Sequence, residues 1–183
     1  MNSVKKMNEN HYKEEIKERQ TKLYIKENRF SLLTSRFNEK TWNENQKYRL
    51  KKKIGCIYCS PCPIANEIPL DSIMFILEMN NDKNKIEGIG MVRNKPYVNK
   101  YKVYEDGNYN RYVFTGKNYI SREKMSKEEE TIMKAFDILC FTGNRHMKRG
   151  QGLKKFPSRM LFNVRKKIDL VEFIKNMFKE RIN

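Results

Sequence analysis

The sequence predicts an α+β fold, with a central, mostly antiparallel and barrel-like sheet and helices before and after it. Two apolar runs, 73–79 and 85–93, are joined by a short polar link, the mark of two neighbouring strands. Two later segments, opening at Ser126 and at Asp169, pair a capping residue with a Glu three positions on and then carry apolar residues at helical spacing. The aromatic fraction is 11 % of 183 residues, which supports a packed core although only 38 % of the chain is apolar.

In chain order, residues 1–28 read as a charged arm or helix. Glu14, Glu15 and Glu18 mix with Lys13, Lys17 and Arg19, and apolar residues are too sparse for a packed face. The rest, 29–183, reads as one α+β domain. Phe30, Leu32, Leu33 and Phe37 begin its fold. Thr41, with Glu44 three residues later, caps a helix from Trp42 to Lys53 that stops before Gly55. Residues 54–58 are short and apolar, and Pro61, Pro63 and Pro69 then interrupt the chain. Strands follow at 73–79 and 85–93. Gly88 and Gly90 alternate within the second, which marks a bulge or a close approach. Two more strands, 97–104 and 110–114, flank a turn at 105–108. A helix opens at Ser126 and is stopped by Gly143. A polar loop spans 144–156, and a last helix starts at Asp169 with Leu170, Phe173, Ile174 and Met177 on its apolar face.

The net charge is +17 and is unevenly placed. Residues 1–53 hold 15 Lys/Arg against 7 Asp/Glu, residues 54–137 hold 12 of each, and residues 138–183 hold 12 against 3. A genome rich in A and T favours Lys over Arg, but it does not remove acids from one end. The uneven excess implies a polyanionic partner, DNA or RNA, ahead of a membrane. No run approaches the length of a membrane-spanning helix.

Between Ile138 and Ile168 there is no acid and there are nine Lys/Arg. The stretch supplies the candidate nucleic-acid contacts: Arg145, His146, Lys148, Arg149, Gly150, Gly152, Lys154 and Lys155, then Arg159, Arg165, Lys166 and Lys167. The cations would meet phosphates, while the glycines let backbone N–H groups come close to an anion. The competing reading is a solvated basic loop. In the centre, tyrosines interleave with amides and cations, a pattern that stacks bases or simply packs a sheet. Trp42, Tyr58, Asn80, Tyr109, Asn110 and Arg111 are the candidates for a base pocket there.

Cys56, Cys59 and Cys62 have half of a zinc-site spacing, which Cys140 or His146 could complete. The second half lacks its own paired ligands, so no cofactor is expected and zinc is the alternative. Lacking a leader-like apolar segment, the chain is expected inside the cell, in cytoplasm or nucleus, with reduced thiols. No paired carboxylates stand out for acid–base work. Glu128, Glu129 and Glu130 favour a helix dipole, and only His11 and His146 could act as a base for a thiol.

Residues 68–75 (IPLDSIMF) and 86–92 (IEGIGMV) resemble a strand pair of the PUA-like superfamily, which includes the EVE, ASCH and YTH domains. The 41–45 segment (TWNEN) is similar to the tryptophan-bearing opening of YTH domains. The resemblance implies a small curved β barrel with flanking helices, of a kind that often reads RNA or modified bases. The composition and the 146–152 segment (HMKRGQG) also resemble proteins of large DNA viruses, which adds a viral factory or virion as a location.

The expectation is a nucleic-acid-binding protein without catalysis: a basic loop grips phosphates and the β core offers a base-reading pocket. One alternative is a packaging protein that coats nucleic acid and has no base pocket. Another is a nucleic-acid-modifying enzyme, which would need a carboxylate cluster or metal site.

Overall fold

The computed structural model describes residues 2–27, 30–144 and 146–182. The elements run α1 (Asn2–Glu27), β1 (Phe30–Phe37), α2 (Glu39–Lys52), β2 (Cys56–Ser60), β3 (Ile73–Asn80), β4 (Lys85–Arg93), β5 (Tyr97–Val98), β6 (Tyr112–Gly116), β7 (Asn118–Ser121), α3 (Lys127–Phe141), β8 (Lys154–Lys155), α4 (Ser158–Val164) and α5 (Leu170–Ile182). The α+β class holds. The strands form two sheets, a five-stranded one in the order β7-β4-β3-β1-β8 and a three-stranded one in the order β2-β6-β5. They form no closed barrel. Pairing is antiparallel throughout, except that β1 and β3 run parallel from Phe30↔Ile73 to Phe37↔Asn80.

The unbroken apolar run of β3 follows from its place in the centre. Phe75, Leu77 and Met79 enter a core beneath α3, α4 and α5, while Met74 and Ile76 enter a second core against the small sheet. Neighbouring Leu32 and Leu33 of β1 divide in the same way. A strand covered on both faces needs apolar side chains at successive positions. The molecule thus has three layers: helices, the five-stranded sheet, then the small sheet with α2.

The β3–β4 hairpin forms as expected, with a register shift between Leu77 and Met79. Its glycines make room for side chains. A Cβ at Gly90 would fall on the Tyr58 hydroxyl, and one at Gly88 on the Tyr119 hydroxyl. Both hydroxyls converge on Glu78, whose side chain is fully buried. Tyr58 Oη donates to its Oε1 and Tyr119 Oη to its Oε2, each at 2.8 Å, and Arg49 Nη1 lies 3.1 Å away. The Arg49 guanidinium also covers the Tyr119 ring, 3.9 Å from its centroid.

Several expected boundaries move. Helix α2 starts three residues before Trp42, because Asn38 is the N-cap: its Oδ1 accepts from Thr41 N at 2.9 Å and Thr41 Oγ1 accepts from Asn38 N at 3.0 Å. Thr41 is therefore the answering half of a capping box. The expected strand 97–104 keeps only Tyr97–Val98, because Asn99 turns to φ 52° and donates its N–H to Arg111 O. Strand β7, helix α4 and the two-residue β8 complete the fold at positions without a strong local pattern. The box at Ser126 and Glu129 forms in full. At Asp169 only the forward half forms: Oδ1 accepts from Val171 N and Glu172 N, both at 3.1 Å, while Glu172 turns to Lys175.

Helix α1 docks by its second half. Tyr24 is buried in the helical core, with its hydroxyl 3.3 Å from Asp169 Oδ1, and Glu14 meets Arg159 of α4 at 2.7 Å. Among the described residues no helix is long and apolar enough to cross a membrane.

Candidate nucleic-acid interface

The glycine-containing loop is held at both ends by apolar anchors, Met147 in the helical core and Leu153 in the second core. Between them the chain turns through positive φ at Gly150 (110°) and Gly152 (63°), conformations that favour glycine. Gly152 packs so tightly on Ser60 that a Cβ there would displace it. A basic loop with a determined path results.

Two side chains from the strand ends hold this loop. Arg36, near the end of β1, donates through Nε to Met147 O. Asn81, just past β3, donates through Nδ2 to Lys148 O at 3.1 Å, and its backbone N–H bonds Phe37 O at 2.9 Å. Each leaves one buried atom without a partner among the described residues, Arg36 Nη1 and Asn81 Oδ1. Burial pulls the Arg36 pKa below the usual arginine value, yet a guanidinium stays charged in proteins.

These residues line a cleft of about 170 Å³ at the carboxyl ends of the parallel strands β1 and β3. Ser35, Asn38, Thr41, Tyr104, Tyr109 and the loop residues Gly150–Gly152 line it with them. Among the described residues no Asp or Glu is in the lining. The carboxyl ends of parallel strands gather loops and helix starts, which is why ligands of α/β sheets collect there. A cavity of about 150 Å³ accepts one benzene ring. This cleft therefore suits one flat ring or one phosphate, and not a whole nucleotide.

The structure divides the residues expected at the interface. Gly150 and Gly152 rim the cleft, and Lys154 passes close to Gly150. Lys148 is half-buried beside it and Arg149 is exposed. His146 is half-buried with Nδ1 unpartnered, and Arg145 lies outside the described residues. Lys155 is drawn to Glu67 at 2.8 Å. Arg159 pairs with Glu14, and Arg165 sits over the Tyr24 ring and 3.6 Å from Asp169, so both serve the helical layer. Lys166 and Lys167 are exposed in the link between α4 and α5.

The residues expected at a base pocket are mostly not brought together. Only Tyr109 reaches the cleft, edge-on to Tyr104 with centroids 6.1 Å apart. Trp42 packs edge-on against Phe37 at 5.4 Å. Tyr58 is fully buried and its hydroxyl is taken by Glu78. Asn80 Oδ1 accepts from Asp82 N and Lys83 N and so shapes the hairpin turn. Asn110 holds Val103 N and Tyr104 N on its Oδ1, which places Tyr104 at the cleft wall. Arg111 is exposed outside it. Arg36, Asn38 and Asn81 were missed by the sequence reading. The one local signal was Arg36, the sole charge within the run 30–37.

The three nearby cysteines lie on β2 and the turn behind it. Cys56 and Cys59, three apart on β2, point to opposite faces of the strand, so these two do not converge on one ligand position. Cys56 Sγ approaches Met91 O and Asn118 O, and burial pushes its thiol up to about 12. Burial raises Cys59 as well, while Cys62 is exposed. Among the described residues no cluster of three or more His, Cys, Asp or Glu is placed to hold a metal ion. No family model, curated protein or solved structure matches the chain.

Proposed function

We propose that this protein binds nucleic acid, with one unpaired base in the cleft and the flanking phosphates on the basic loop, and that it acts by binding and not by catalysis. One observation carries the reading. A cleft of single-ring size is lined by Arg36 and Asn81, and each carries a buried atom with no partner among the described residues, the donor Arg36 Nη1 and the acceptor Asn81 Oδ1. A phosphate has only acceptors and would face Asn81 Oδ1 unfavourably. A base edge presents donors and acceptors together, and Tyr109 supplies an aromatic wall. Lys148, Arg149 and Lys154 lie about the rim to meet the backbone. The resemblance of residues 68–92 to PUA-like domains points the same way, as does a formed cavity where a coating protein needs none.

The test separates function from folding. Arg36→Met removes the unpaired donor but also the bond to Met147 O, so it should cost about 1–3 kcal/mol of stability, and binding is compared well below the melting temperature of the variant. There it should weaken binding to single-stranded oligonucleotides by roughly 10- to 100-fold, the effect of about 1.5–3 kcal/mol for a charged hydrogen bond. Fluorescence anisotropy with labelled DNA and RNA measures it. A variant that stays folded and binds as tightly as the parent would remove the cleft from the interface.

A further inference from the structure

A second concavity lies at the opposite end of the strands. It opens between the start of β3, the end of β4 and the β6–β7 turn, with a volume of about 740 Å³. That is within the range of about 300–1,000 Å³ typical of ligand sites, and several times the volume of the first cleft. Among the described residues four cations line it, Lys53, Arg93, Lys95 and Lys117, with Tyr97 and Tyr101 as aromatic wall and no carboxylate. Arg93 is partly engaged by Asp71 at 3.6 Å; Lys53, Lys95 and Lys117 are all exposed. Arg93, Lys95 and Lys117 belong to the electrically neutral centre of the sequence and Lys53 to the basic segment before it, so folding gathers the cluster.

The two tyrosines meet edge-to-face, with centroids 5.3 Å apart, and Lys100 sits over both rings at 5.0 and 5.9 Å. The tyrosine pair and its overlying cation border a trough large enough for a base with its sugar and phosphate. A duplex keeps its bases stacked inside and has none to offer the tyrosines. We infer that this groove is a second nucleic-acid subsite, specific for single strands, with bases stacking on Tyr97 and Tyr101 and phosphates on Lys53, Lys95 and Lys117. It rests on the nucleic-acid reading above and adds to it a second, stacking contact for the same single strand. Strand β3, eight residues long, separates the two sites by about 25 Å at roughly 3.3 Å per residue, so both can engage one strand only if it is long enough.

The experiment uses the full chain, a labelled single-stranded 20-mer and a blunt-ended two-strand duplex of the same length, at two salt concentrations. Tyr97→Ala should weaken single-strand binding by roughly 5- to 100-fold, the effect of about 1–3 kcal/mol per stacked base, and leave duplex binding and the salt slope unchanged. Lys95→Ala with Lys117→Ala, at exposed positions that folding does not require, should flatten the single-strand salt slope by about 1.4. Unchanged single-strand affinity and slope in these variants, with binding still weakened by Arg36→Met, would overturn this groove and leave the cleft standing. Equal weakening of duplex and single strand would overturn its strandedness. A parent protein that binds neither nucleic acid would overturn both sites.

Discussion

Glu78 shows how one residue sets its neighbours. It is a fully buried carboxylate in the middle of the central sheet, met by Arg49, Tyr58 and Tyr119. Burial pushes its pKa above the ordinary carboxylate range, and the Arg49 guanidinium opposes that push. Arg49→Met would leave burial unopposed by a cation and should destabilise the fold by about 3–5 kcal/mol at neutral pH. A group whose folded pKa is raised contributes stability below its unfolded value and loses it as pH rises through the folded one. The Arg49→Met deficit should therefore shrink as pH falls from 7 towards 5, as chemical denaturation at several pH values would record. A deficit that stays constant or grows on acidification would contradict this account. Gly90→Ala should cost about 1–3 kcal/mol by overpacking, because the Tyr58 hydroxyl it would strike is fully enclosed and cannot withdraw.

At the scale of elements, the acidic start of α3 does more than favour the helix dipole. Glu129 completes the capping box and receives Arg181 of α5 at 2.7 Å. Glu130 takes Arg122 in a two-bonded pair, both contacts at 2.8 Å, and Arg122 Nη1 also reaches Asp137 and Ile86 O. Three carboxylates thus tie β4, β7, α3 and α5 together. Hydrogen bonding from Arg122 holds the Glu130 carboxyl below its ordinary value. A lowered carboxylate contributes stability above its unfolded pKa and loses it as pH falls through the folded one. Arg122→Gln should cost about 2–3 kcal/mol at pH 7, since charged hydrogen bonds are lost from a buried donor but the carboxylates stay partly in water. Its difference from the parent should narrow as pH falls from the ordinary carboxylate value towards the lower folded one, because the unfolded chain then takes up the proton that Arg122 keeps off Glu130 in the folded parent. Urea denaturation at pH 7 and pH 3.5 compares the two, and an undiminished difference at pH 3.5 would count against the pair.

At the scale of the molecule, the excess charge of the carboxyl-terminal segment is split between two tasks. Arg159, Arg165 and Lys155 are bound into the protein by Glu14, Asp169 and Glu67. Lys148, Arg149 and Lys154 have no carboxylate partner among the described residues and surround the cleft rim. Replacing these three with alanine should flatten the plot of log affinity against log salt by about 0.7 per lost contact on single strands and about 0.9 on a duplex. Stability should change by less than about 0.5 kcal/mol per site. Replacing Lys166 and Lys167 should change the slope less, because they stand apart from the glycine loop in sequence and follow α4. Equal effects from the two sets would mean that charge acts diffusely and that the loop has no special place.

The sequence by itself determined what depends on neighbours along the chain. The hairpin of β3 and β4 was legible because a polar link joins two apolar runs, and the start of α3 because a capping box is four residues long. The acid-free glycine loop was legible for the same reason. Helix α2 was placed three residues late because Asn38 and Thr41 form a box as readable as Thr41 with Glu44, and only the formed hydrogen bonds choose between them. The parallel pairing of β1 with β3, the division of their side chains between two cores, and the purpose of Gly88 and Gly90 all depend on partners tens of residues away. The cleft is of that kind. Ser35–Thr41, Asn81, Tyr104, Tyr109 and Gly150–Gly152 are separate in sequence and meet only because parallel strands end at one edge beneath a loop anchored by Met147 and Leu153. Tyr58 and Asn110 carried the same local signal as Tyr109, but tertiary packing turned the first two inward and left only the third facing the cleft.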